Sequence, residues 1–200
     1  MKKIISTPVS NDAVADLRAG DIFYLSGTLA TGRDDVHRRV AHEGMSSPFD
    51  FNGSAIFHAG PIVKEEGGKY ELISVGPTTS MRMEEWAADF IKKTGVRIMI
   101  GNGGMGAKTA DACREHGVIH CVYPGGCAVL GAGQVEIESV CWPELGMPEC
   151  MWVMRAREFG PLIVSIDSRG RNLFAEYASL YASRKNACME PILKKLGMGN

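Results

Sequence analysis

Three observations predict an α/β domain of mixed parallel and antiparallel sheet layers with helices. Strand-like and helix-like apolar runs alternate through the first part of the chain. The stretch from Val96 to Tyr123 reads strand, glycine turn, helix, strand, the order of a parallel β-α-β unit. Beyond it, Gln134–Val140, Met151–Arg155 and Leu162–Ile166 read as strands with little helix between them, which requires antiparallel pairing before a helical C-terminus from about Leu173.

Lys2–Ile5 is predicted as the first strand, Asp12–Leu17 as a short helix closed by Gly20, and Ile22–Leu25 as the second strand. Asp34 is expected to cap a helix running to about Glu43, with Gly44 at its end. The stretch Thr31-Gly32-Arg33-Asp34 then becomes the turn into that helix, with Arg33 at its N-terminus. Ala55–His58 and Lys69–Val75 read as strands, the second preceded by the turn-like Glu65-Glu66-Gly67-Gly68. From Arg82 to Thr94 the apolar positions 83, 86, 87, 90 and 91 follow helical spacing, and Gly95 stops the helix. Val96–Ile100 is a buried-strand run, Thr109–His116 a helix stopped by Gly117, and Val118–Tyr123 the next strand. Gly125-Gly126 and Gly131-Ala132-Gly133 read as tight turns.

At 200 residues with 45% hydrophobic content, the chain suffices for one domain spanning 1–200. Its 22 basic and 23 acidic residues nearly cancel, so no charge footprint for nucleic acid or an anionic membrane surface exists. No apolar run approaches the roughly 18–20 residues of a membrane-spanning helix. The opening Met1-Lys2-Lys3-Ile4-Ile5 begins like a signal peptide, but Ser6-Thr7-Pro8 interrupts it, so a cytoplasmic protein is expected. The six cysteines lack a Cys-x-x-Cys pair or a cluster, which points to reduced thiols, and neither cysteine nor histidine shows metal-ligand spacing. Any metal or cofactor is therefore expected from a partner subunit.

Three polar loops carry the chemistry: Thr31-Gly32-Arg33-Asp34, Gly76-Pro77-Thr78-Thr79-Ser80-Met81-Arg82 and Gly101-Asn102-Gly103-Gly104-Met105-Gly106. Each lies between a strand-like and a helix-like run. Forked guanidiniums, hydroxyls and helix-start N–H groups suit a small carboxylate. The third loop also satisfies the Gly-x-Gly-x-x-Gly dinucleotide fingerprint. That reading needs an acidic residue at the end of the next strand, which instead ends in Tyr123-Pro124-Gly125-Gly126. Two readings of the loop remain: a turn that packs a helix against its strand, or one that also binds a carboxylate.

Taken together, Thr31-Gly32-Arg33-Asp34 with His37-Arg38-Arg39, His58-Ala59-Gly60-Pro61, Gly76–Met83 and Gly103–Gly106 resemble the β-subunit family of L(+)-tartrate dehydratases and class I fumarases. Glu144–Glu149 and Glu158–Asp167 look more like the tartrate dehydratase side of that family. The resemblance implies a swivelling β/β/α domain and a hydro-lyase working as an α2β2 assembly. It also implies a partner α subunit that carries a [4Fe–4S] cluster whose labile iron acts as Lewis acid on the departing hydroxyl. The implied reaction is L-tartrate to oxaloacetate and water. Fumarate or malate is the nearest alternative substrate, and a catalytically silent carboxylate-binding or assembly subunit is another alternative.

Under that resemblance Arg33 and Arg82 become carboxylate clamps, a role that fits their planar, permanently charged forks. Thr78 and Thr79 are expected to hydrogen-bond substrate oxygens, with Thr78 also taking part in proton transfer. His37, one helical turn beyond an arginine loop, is the first choice for the catalytic acid or base, which the resemblance favours over a brace for the turn before it. His58 and Asp34 read as supporting groups, while His42, His116 and His120 have no supporting context. Asn102 departs from the family pattern, which has lysine there. It keeps a hydrogen-bond donor near the substrate but loses the charge.

Overall fold

The computed structural model describes residues 2–197. In chain order, β1 (Ile4–Ser6), α1 (Asn11–Ala15) and β2 (Ile22–Thr31) lead into α2 (Asp34–His37), which widens into a π-turn over Arg38–His42. Then come β3 (Ala55–Phe57), the hairpin β4 (Ile62–Glu66) and β5 (Lys69–Ser74), and a 3₁₀ turn (Ser80–Met83) that runs into α3 (Glu84–Thr94). After β6 (Ile98–Gly101), α4 (Ala107–His116), β7 (Ile119–Val122), α5 (Ala128–Ala132) and β8 (Val135–Cys141), the chain ends with β9 (Met151–Ile166) and α6 (Leu173–Lys195). Among the described residues no helix is long and apolar enough to cross a membrane.

The architecture is mixed α/β. Strands β1, β2, β3, β6 and β7 are parallel neighbours, as the crossover helices between them require. Strand β9 runs antiparallel to β2, β7 and β8 at once. The sheets are a seven-stranded one, whose strands β2, β3, β6, β7 and β9 close into a ring, and the separate two-stranded hairpin β4–β5. A 16-residue strand makes the ring possible, because one edge of β9 follows β2 along its length while the other serves β8 and then β7.

Period-two alternation divides the apolar residues between two cores. Ala55, Phe57, Ile98 and Ile100 face the inside of the ring, where Phe57 packs against Tyr123 and Phe159 with centroids 5.9 and 5.1 Å away. Ile56 and Met99 face outward and are covered by Val36, Phe90, Ile91 and Cys113 from α2, α3 and α4. Gly95 and Gly117 end α3 and α4 in the left-handed conformation, at φ 69° and 65°.

Four expectations need correction. Strand β2 is ten residues long because Ser26-Gly27-Thr28, which looks like a break, is held in the sheet by Thr7, whose hydroxyl donates to the Thr28 carbonyl at 2.8 Å. Residues Glu65 and Glu66 belong to a strand, and only Gly67-Gly68, both at positive φ, make the hairpin turn. Residues 128–132 form a short helix rather than part of a turn. The two strands expected over 151–166 are one: the Gln134 side chain donates to the Gly160 carbonyl and accepts from its N–H, satisfying the backbone beside Pro161.

Candidate active site

The site begins where β2 ends. Thr31 is buried, and its hydroxyl oxygen accepts from the Trp152 N–H at 3.0 Å, so this threonine anchors the turn. A Cβ at Gly32 would press on Ile56 and Val36, which lets the chain turn tightly into α2. Arg33, not Asp34, occupies the N-cap position and does not cap with its own side chain; the Glu149 carboxylate accepts from the Asp35 N–H at 3.4 Å. Asp34 instead turns its carboxylate to Arg82, whose Nε donates to Oδ1 at 3.1 Å. That contact ties the first polar loop to the second.

Arg33 is the more enclosed of the pair, with a side chain 20% exposed against 46% for Arg82. Its Nη2 lies 3.0 Å from Glu149 Oε1, its Nε is buried without a partner, and Gly60 leaves room for Nη1. Burial raises the Glu149 carboxyl above its ordinary value, and the Arg33 guanidinium works against that rise. Glu149 is a site neighbour that sequence reading missed. It lies far along the chain in a loop with no recognisable chemistry of its own.

The second loop is stitched between β3 and β6. The Thr78 N–H donates to the His58 carbonyl at 2.7 Å, the Asn102 N–H to Thr78 at 3.0 Å, and the Ser80 N–H to Asn102 at 2.9 Å. Residues 78–80 therefore lie as an extra strand segment against Asn102, at the C-terminal ends of parallel strands, where ligand sites of such sheets gather. Thr79, Arg82 and Asn102 are exposed and Thr78 is half-buried. Among the described residues no hydrogen bond engages the side chains of Thr78, Thr79 or Asn102, which leaves their donors for an outside oxygen.

His37 is fully buried behind this surface. Its Nδ1 lies 2.9 Å from the Arg33 carbonyl, and its ring packs on Phe90 and His58 with centroids 4.5 and 5.1 Å away. Burial lowers its pKa to about 4, so the ring is neutral near pH 7 and its Nδ1–H donates to the carbonyl. This is the bracing geometry. His58 is likewise enclosed, with Nδ1 at 3.0 Å from Ser80 Oγ, and His120, which showed no context in the sequence, meets the same hydroxyl from the opposite side.

The glycine loop divides into two parts. Asn102 belongs to the surface just described. The start of α4 does not, because the Glu84 carboxylate already accepts from the N–H groups of Gly106 at 2.7 Å and Thr109 at 3.3 Å, and from the Thr109 hydroxyl at 2.6 Å. Gly104 lies against the ring of Phe174. A helix start filled by an internal carboxylate and closed over by an aromatic ring cannot take a pyrophosphate, so the loop packs its helix and the dinucleotide reading fails.

Among the described residues the thiols are not gathered as the ligands of an iron–sulfur cluster. Cys113 and Cys121 are buried, and burial pushes both thiols well above their ordinary range. Among the described residues no group of three or more His, Cys, Asp or Glu side chains is placed to hold a metal ion.

The family model of the fumarase C-terminus matches residues 2–177. The chain belongs to the fumarase C-terminus family. Among its relatives, the L(+)-tartrate dehydratase subunit beta of Escherichia coli strain K12 is 54% identical over 193 residues, 96% of each chain. A Methanocaldococcus jannaschii protein provisionally named L(+)-tartrate dehydratase subunit beta is 41% identical over 168 residues, 82% of this chain and 86% of that one. A Geobacillus stearothermophilus protein provisionally named fumarate hydratase class I is 35% identical over 190 residues, which are 94% of this chain but 36% of that longer protein. In this member of the fumarase C-terminus family, the first two polar loops and Asn102 of the third share one surface at the strand ends.

Proposed function

We propose that this chain is the β subunit of a two-subunit hydro-lyase, converting L-tartrate to oxaloacetate and water, in a cytoplasmic α2β2 assembly. The observation that carries the reading is the meeting of Arg33, Arg82, Thr78, Thr79 and Asn102 on one surface, held together by Asp34 and the Thr78–Asn102 backbone bonds. The names of the E. coli and M. jannaschii relatives support the substrate and the subunit division. The longer G. stearothermophilus relative supports a partner chain for what lies outside the shared part.

In this reading Arg33 and Arg82 hold the substrate's carboxylates, exchanging their internal partners Glu149 and Asp34 for those of the diacid. Thr79 and Asn102 donate to carboxylate or hydroxyl oxygens. Thr78, half-buried between the arginines' loop and Asn102, is the proton-transfer group at this surface. His37 acts through the Arg33 carbonyl, because its enclosed neutral ring has no path to the surface. The proton leaves one hydroxyl-bearing carbon, the hydroxyl departs from the next, and the enol formed becomes the keto acid. The iron–sulfur cluster belongs to the α partner in this scheme.

The test is reconstitution. The chain purified alone should form no oxaloacetate from L-tartrate, and should do so once assembled with an α partner without oxygen. Turnover by the lone chain contradicts the division of labour. Malate formed from fumarate, with L-tartrate untouched, moves the assignment to the fumarase reaction.

A further inference from the structure

Ser80 lies between Thr79 and Met81, two residues from both Thr78 and Arg82, and it is fully buried. Its Oγ is 3.0 Å from His58 Nδ1 and 3.0 Å from His120 Nε2. On the far side of His120, Nδ1 lies 2.6 Å from Ser165 Oγ, and that hydroxyl is 3.1 Å from the His120 carbonyl.

The proton order along this row follows from what each atom can do. A carbonyl only accepts, so the Ser165 hydroxyl spends its proton on it and accepts from His120 Nδ1–H. Burial keeps both histidines neutral, so His120 Nε2 carries a lone pair and takes the Ser80 hydroxyl proton. Ser80 Oγ then accepts from His58 Nδ1–H. In this order every proton points the same way, from His58 toward β9, both rings are protonated at Nδ1, and the buried His58 Nε2 keeps its lone pair. The anchors stand on three strands of the closed ring, or just past one: His58 after β3, His120 on β7 and Ser165 on β9.

We propose that Ser80 is a positioning residue whose hydroxyl, held by His58 and His120 at once, sets the loop that carries Thr78 and Arg82. The inference rests on the carboxylate-site reading above. A second observation supports it independently: a Cβ at Gly101 would overlap Ser80 Oγ and crowd His58 Nδ1, so the neighbouring strand leaves room for this hydroxyl. The loop's backbone bonds to His58 and Asn102 fix its height over the sheet, and the Ser80 hydroxyl fixes its rotation. A misplacement of that kind affects the reacting geometry more than substrate capture, because small displacements weaken transition-state contacts first.

The experiment compares Ser80→Ala, Ser80→Cys and Ser165→Ala in the assembled αβ enzyme, with Arg82→Met as a reference. Ser80→Ala and Ser80→Cys should lower kcat for L-tartrate about tenfold or more while KM stays within about threefold, because cysteine keeps the volume but not the strong bond. Ser165→Ala should lower kcat in the same direction and by less. If the serine variants keep kcat within about twofold while Arg82→Met loses activity, the positioning role is wrong and the site stands. If Arg82→Met is fully active, the site itself fails and the inference with it. A second measurement does not depend on turnover: ¹⁵N spectra of the imidazoles should show His58 and His120 both protonated at Nδ1. An Nε2-protonated ring at either position overturns the proposal.

Discussion

At the scale of single residues, the proposed site sets fixed positive charge beside groups that donate without titrating. Asn102 is the residue to test there. The resemblance implies a lysine at this point of the glycine loop, and a charge-assisted hydrogen bond contributes roughly 1.5–3 kcal/mol against about 0.5–1.5 for a neutral one. Two outcomes of Asn102→Lys in the assembled enzyme are informative. A pocket retuned around the amide should lose about tenfold or more in kcat/KM for L-tartrate, which is the outcome expected here. A large gain would mean that the chain descends from a better catalyst and now serves in binding or assembly. Much of this surface was legible in the sequence, since Arg33, Thr78, Thr79 and Arg82 stand in motifs that begin helices. Glu149 and His120 were not, because a glutamate in an irregular loop and a histidine inside an apolar strand look like ordinary surface and core until the fold brings them to Arg33 and Ser80.

Among the elements, α4 shows how a motif can be right in place and wrong in chemistry. Its glycine loop follows a strand and opens a helix as a phosphate loop does, yet Glu84, 22 residues before Gly106, already satisfies its start. Replacing Glu84 with Ala should destabilise the chain by about 1–3 kcal/mol, read as a lower urea midpoint, because three donors lose one carboxylate. An unchanged midpoint would show that water replaces the carboxylate without cost. The helix α3 was readable from its spacing alone, whereas β9 was not. Glu158, at φ 51°, and Gly160-Pro161 interrupt its alternation, and only the Gln134 side chain and the slipped pairing with β2 show that the strand continues. The closure of the ring is likewise invisible locally, because it depends on β9 meeting β2, a strand near the other end of the chain whose Ala30 pairs with Val153, as well as nearer strands.

For the whole molecule, the three buried imidazoles make stability sensitive to acid. Burial holds His37 at about 4, His120 at about 3 and His58 well below the ordinary 6.5, so the folded chain stays unprotonated where the unfolded chain takes up protons. The stability that neutral burial provides is complete above pH 6.5 and is lost as pH falls from there toward 4, by up to roughly 1.4 kcal/mol per pH unit for each histidine. Glu149, whose carboxyl is raised, acts in the opposite sense but with one proton against three. Urea midpoints should therefore be flat between pH 7 and 8 and should drop clearly by pH 5.5. Equal midpoints at 7.5 and 5.5 would mean that the rings are not buried as described.

In the proposed site Arg33 and Arg82, paired with Glu149 and Asp34 in the free chain, grip a diacid at the ends of the parallel strands. Steady-state kinetics of Arg82→Met in the assembled enzyme tests this most directly. Loss of one charged fork should cut kcat/KM for L-tartrate by about 10–100-fold, with the urea midpoint close to that of the parent because the Asp34 contact is half-exposed. A kcat/KM within twofold of the parent would mean that Arg82 does not hold the substrate.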